Sequence, residues 1–69
     1  MPLHFAEFNV PVTIQRIAGS DKVKMHLNNL GFVVGESVTV VNKVNENLIV
    51  KVKGVTFGLS HELANRIYV

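Results

Sequence analysis

The segment from Leu27 to Val40, LNNLGFVVGESVTV, constrains the fold more than any other part of the chain. Within it a helix ends, the chain turns twice on glycine, and a strand begins. Gly31 follows Leu30, the last residue of a helical apolar pattern, where a left-handed backbone is wanted and a side chain would clash. Gly35 then opens Glu36 to Val41, in which Val38 and Val40 alternate with Ser37 and Thr39 as a half-buried strand requires.

With 69 residues, the chain reads as one domain spanning 1–69. A domain of this size hides only about 60% of the surface its unfolded chain exposes, so its core must be dense. Hydrophobic residues make up 48% of the chain, mainly Val, Leu and Ile, which suits a β-rich barrel or a compact α+β fold. There is no cysteine, so disulfides, thiolate nucleophiles and sulfur-ligated metal sites are excluded, and a reducing cytosolic setting is natural. The N-terminal stretch MPLHFAEFNVPVTIQ has neither the basic start nor the apolar run of a signal peptide. No stretch approaches the roughly 18 apolar residues of a membrane span. The chain is therefore expected to be soluble and complete, without direct membrane insertion.

Along the chain, LHFAEF at residues 3 to 8 reads as a short helical turn. The first strand is expected to place Val10, Val12, Ile14 and Arg16 on one face, with Thr13, Gln15 and Ile17 on the other. Ala18, Gly19 and Ser20 break it; Ser20 then caps a helix from Asp21 to Leu30, with Asp21 adding favourable charge to its first turn. Val23, Leu27 and Leu30 fall within about 60° of one another at about 100° per residue and are expected to face the core. Lys22, His26 and Asn29 form a neighbouring polar stripe, while Met25 belongs to neither. Strands at 36–44 and 48–53 flank the turn residues Asn45, Glu46 and Asn47. In the second of these, Leu48, Val50 and Val52 face the core, opposite Ile49, Lys51 and Lys53. Gly54 leads to a third hairpin strand from Val55 to Leu59. Ser60 caps a single turn through Ala64, and Arg66 to Val69 closes as a last short strand. The pattern is mainly β: a small SH3-like barrel of about five antiparallel strands with one α-helix inserted after the first strand.

The run Leu27, Leu30-Gly31-Phe32, Gly35, Val38, Val40, Val50, Val52, Gly54, Leu59, Ala64, Ile67 and Val69 closely resembles the FeoA family over nearly the whole chain. That resemblance implies a small cytosolic SH3-like protein of bacterial ferrous iron uptake, associated with the membrane permease FeoB, which carries a cytosolic GTPase domain. The same fold occurs as a C-terminal domain in metal-dependent repressors of the diphtheria toxin repressor type, which carry a DNA-binding domain absent here. The family commonly has a Pro-Gly turn where this chain reads Asn9-Val10-Pro11-Val12 and often has a longer hairpin loop than Asn45 to Asn47. His26 takes a position often basic in relatives.

The residues narrow the chemistry further. Glu7, Asp21, Glu36, Glu46 and Glu62 are dispersed, and no nucleophile stands beside a base, so the chain is not expected to be an enzyme. The glycines do not form a phosphate-binding loop. A net charge of +2 comes from scattered Lys and Arg, and Phe5, Phe8, Phe32, Phe57 and Tyr68 read as core or barrel-end residues. Nucleic acid is therefore not the expected partner, despite Lys51 and Lys53 on one strand face. His4, His26 and His61 sit on separate elements without metal-ligand spacing, so no resident cofactor is expected. The alternative is a metal-responsive module that binds Fe2+ or another divalent transition metal through His26, His61 and Glu62, with histidines from two copies meeting. The leading expectation is a partner-binding surface of Lys22, Met25, His26 and Asn29 that touches the cytosolic part of a FeoB-like permease. Such a protein would be cytoplasmic, held at the inner face of the cell membrane through its partner.

Overall fold

Period-two alternation around Val38–Val40 and Leu48–Val52 supplies the centre of the molecule, because it lets two adjacent strands bury the same face. The computed structural model describes residues 1–69. After a 3-10 turn (Leu3–Phe5) come β1 (Val12–Thr13), β2 (Arg16–Ile17), α1 (Asp21–Leu30), β3 (Ser37–Val44), β4 (Asn47–Val52), β5 (Val55–Leu59), α2 (His61–Ala64) and β6 (Ile67–Tyr68). Four strands form an antiparallel sheet in the order β1-β3-β4-β5, and β2 pairs with β6 in a second, two-stranded sheet.

The expected first strand is divided, so six short strands stand where about five were expected. Its backbone explains the division. The Ile14 N–H donates to the Glu36 carbonyl at 2.9 Å, whereas the Gln15 N–H donates to the Tyr68 carbonyl at 2.7 Å. The chain thus leaves one sheet for the other within two residues, and the alternation changes phase. Ile14 and Ile17 are both buried, while Val10 and Arg16, expected on the Ile14 face, are exposed.

In β3 the register passes from Val40 opposite Val50 to Asn42 opposite Ile49, leaving Val41 as the extra residue of a bulge. Before it, Val38 and Val40 enter the core; after it, Asn42, Lys43 and Val44 are exposed. The β3–β4 turn is shorter than expected, because Asn47 already pairs with Val44. At the next hairpin Lys53 and Gly54 have φ of 51° and 78°, the two positive angles of a type I′ turn. Lys53 therefore belongs to the turn and does not share a strand face with Lys51.

All of the buried residues are apolar, so every charged side chain lies at least partly at the surface. Phe32 is fully buried and meets Phe57 edge-on at 5.5 Å, a favoured aromatic geometry. Leu27 from α1, Ala64 from α2 and Leu3 from the 3-10 turn close the core over the sheets. Met1 and Val69 exchange hydrogen bonds of 2.8 and 2.9 Å, which draws the N-terminal segment beside β6 and α2. No helix is long and apolar enough to cross a membrane.

Candidate functional site

Helix α1 is held at three points. The Ser20 hydroxyl accepts from the Val23 N–H at 3.3 Å, satisfying one of the free donors of the first turn. Leu27, fully buried, fastens the middle. Gly31 ends the helix at φ 107°, its N–H reaching back to the Asn28 carbonyl. The expected stripe of Val23, Leu27 and Leu30 is corrected at its last member, since Leu30 is 38% exposed. The reason lies in the Gly31 turn, which directs Phe32 into the core beyond the helix end, with its N–H on the Leu27 carbonyl. Phe32 thus fills the place that helical periodicity assigned to Leu30.

The opposite side of α1 is open. Lys22, Met25, His26 and Asn29 are all exposed, and Met25 is 63% exposed. They form a continuous surface of two basic-type groups, an amide and a flexible thioether.

His26, His61 and Glu62 are not brought together as a ligand set. No group of three or more His, Asp or Glu side chains gathers in a form that could hold a metal ion. His26 lies on α1, while His61 and Glu62 begin α2 and are exposed. What does converge is His61 with His4, their ring centroids 5.2 Å apart. His61 Nε2 lies 3.2 Å from the Asn65 side-chain nitrogen, an i, i+4 pair, and its Nδ1 is 3.9 Å from the Glu46 carboxylate. If the Asn65 amide donates to Nε2, the proton of neutral His61 sits on Nδ1, facing Glu46. His4 Nδ1 is buried without a hydrogen-bond partner. No sequence spacing signals this pairing, which depends on the N-terminal segment lying against α2.

Two aromatics expected in the core or at a barrel end are exposed, Phe5 at 66% and Phe8 at 47%. The short N-terminal turn buries only one face, and Leu3 and Ala6 occupy it. A further feature passed unnoticed at the level of sequence. A groove between α1 and β2 carries Arg16 and Gln15 on one wall and Lys24 and Asn28 on the other. Only the i, i+4 spacing of Lys24 and Asn28 hinted at it, since the Arg16 side comes from a separate element.

The FeoA domain family matches residues 1–69, the entire chain. None of the curated proteins matches it. Among solved structures, the zinc-complexed FeoA of Stenotrophomonas maltophilia, a prokaryotic SH3-domain protein, is 28% identical with a TM-score of 0.82, covering 99% of this chain and 87% of that one. The iron(II) transport protein A of Clostridium thermocellum is 26% identical with a TM-score of 0.89, covering 99% of this chain and 43% of that one. A manganese-dependent transcriptional repressor shares the fold at 17% identity and a TM-score of 0.88, with this chain spanning 40% of its length.

Proposed function

The chain belongs to the FeoA domain family, and from that membership we propose that it is a cytoplasmic accessory protein of bacterial ferrous iron uptake acting by contact with the cytosolic part of a FeoB-like permease. Residues 1–69 act as one domain in this reading, held at the inner face of the cell membrane through the permease. The family is associated with ferrous iron transport, and its role is accessory rather than catalytic. The observation that carries the contact mechanism is the open side of α1. Lys22, Met25, His26 and Asn29 are exposed together, while Leu27 alone is fully buried in the helix, so none of the four is needed to hold the fold. An exposed methionine inside a polar rim suits an interface, because its thioether adapts to the opposing surface at little cost.

The test is the double substitution Met25→Glu with His26→Glu. Both sites are exposed, so soluble protein and thermal stability should be retained. The added negative charge should reduce capture of the permease's cytosolic part and lower iron uptake in cells lacking the native protein. A folded variant that captures the permease and restores uptake as well as the parent does would remove α1 from the interface.

A second reading, a module that itself binds a divalent transition metal, is favoured by one observation: the His4 and His61 rings lie together beside Glu46. Within one chain these residues do not fit a closed site, since no three-ligand group is formed. In this reading a second copy supplies a further ligand, because a tetrahedral zinc site takes more protein ligands than these side chains offer within one chain. Calorimetry with zinc and with anaerobic ferrous iron, run alongside light scattering, separates the readings. The permease reading expects no stoichiometric metal on the monomer. Micromolar binding at one ion per chain, lost in His61→Ala, would favour the metal module.

A further inference from the structure

The groove between α1 and β2 is an open depression of about 420 Å³. At about 100° per residue, Lys24 and Asn28 occupy the flank of α1 across the buried Leu27 from Lys22 and His26, with Met25 between, so the groove shares no residue with the surface assigned above to the permease. Ile17 and Val33 form its apolar floor, and Val34, 64% exposed, stands at its rim. The floor is fixed by backbone bonds: the Gly35 N–H donates to the Ile14 carbonyl at 2.8 Å and the Glu36 N–H to the Val33 carbonyl at 3.0 Å.

The charges in this groove are uncompensated. Arg16 and Lys24 line it, no carboxylate does, and neither cation takes part in an ion pair. Arg16 is also preorganised, with its guanidinium carbon 4.2 Å from the centroid of the Tyr68 ring. This contact restrains the group while leaving N–H donors for a planar anion, and it reduces the side-chain entropy lost on binding. Gln15 and Asn28 add amides that can donate and accept, as the backbone of an extended peptide requires.

We propose that this groove docks an acidic segment of a protein partner. A Glu or Asp carboxylate bridges Arg16 and Lys24, the Gln15 and Asn28 amides hold the peptide backbone, and an aliphatic neighbour of the acid covers Val33 and Val34. A carboxylate fits better than a nucleic acid strand. Two cations cannot track a phosphate backbone, and the one aromatic ring near them, Tyr68, is already covered by Arg16. An apolar floor beside two cations matches an amphipathic acidic sequence.

The experiment titrates nitrogen-15-labelled protein with a blocked heptapeptide alternating glutamate with valine and leucine, with its glutamine-for-glutamate twin, and with inorganic phosphate. Saturable amide shifts from the acidic peptide should concentrate at 15–17, 24, 28 and 33–34. Affinity should fall about tenfold or more for the twin, and by a similar factor for the Arg16→Gln, Lys24→Gln double variant. It should also weaken as salt is raised from about 50 to 300 mM, as screening of exposed charges demands. Both replaced groups are exposed, so an unchanged spectrum away from the groove establishes that the variant is folded. The proposal is overturned by an absence of saturable shifts, by equal binding of the twin or by the double variant, or by phosphate alone reproducing the shifts. None of these outcomes bears on permease capture through Met25 and His26, so the two ideas fail separately.

Discussion

Leu27→Ala is the most informative single perturbation, because Leu27 is the only fully buried residue of α1. Truncation removes three carbons, worth about 2.4 kcal/mol at about 0.8 kcal/mol for each buried methylene. Incomplete collapse of the neighbours adds about 24 cal/mol per Å³ of residual cavity, so a cavity of about 40 Å³ brings the cost to about 3.4 kcal/mol. A chain of this length is expected to have a total stability of about 3.5 to 10 kcal/mol, so one substitution removes between a third and nearly all of it. Leu30→Ala is the control. With 38% of its surface exposed, it gives up only part of the transfer term and creates no closed cavity. Urea denaturation followed by far-ultraviolet circular dichroism reads both variants. With a slope near ~1 kcal/mol per molar urea for a small domain, Leu27→Ala should lower the midpoint by about 3 M, or leave the protein unfolded in buffer. Leu30→Ala should lower it by no more than about 1.5 M. A Leu27→Ala midpoint within about 0.5 M of the parent, or equal losses in the two variants, would refute Leu27 as the residue that packs α1 onto the core.

Gly31→Ala should cost about 1 to 2 kcal/mol, because φ is 107° while the added Cβ would meet Val52 only at an ordinary 3.6 Å, so the loss is conformational. Gly19→Ala should cost more, since φ of 117° is joined there by a contact of 3.3 Å to Val23, and thermal melts of the two variants would test the order. Ser20→Ala should destabilise by about 0.5 to 1 kcal/mol, at the lower end for a helix cap because its bond to the Val23 N–H is 3.3 Å long. Faster amide exchange confined to the first turn of α1 would identify the cause, and unchanged exchange would contradict it. Phe5→Ser should leave stability within about 0.5 kcal/mol of the parent, as its ring is 66% exposed, and a large fall in melting temperature would mean that the ring is buried in solution.

The elements that local chemistry specifies were legible in the chain. Ser20 and Ser60 cap their helices, Gly31 stops α1 in the left-handed region, and Val38, Val40, Leu48, Val50 and Val52 face the core as their alternation required. Each of these depends on a residue and its near neighbours: a hydroxyl within reach of a free N–H, a missing Cβ, or a period of two. The exposure of the open side of α1 was legible for the same reason, because helical phase alone puts Met25 opposite Leu27.

Other features depended on where distant segments came to lie. Nothing local divides Val10 to Ile17 between two sheets; carbonyls of Glu36 and Tyr68 do so, and the switch reverses which side chains are buried. Leu30 lost its core place to Phe32, and the value of either position is known only once the helix end meets the sheet. The His4–His61 contact and the groove joining Arg16 to Lys24 likewise draw on segments with no periodic relation in sequence. Sequence alone thus determined the two helices, the glycine stop at Gly31 and the core-facing residues at the centre of β3 and β4, since these follow from short-range sterics and hydrogen bonding. Tertiary structure decided which exposed groups share a surface, because packing of the core brings together residues that local geometry leaves unrelated.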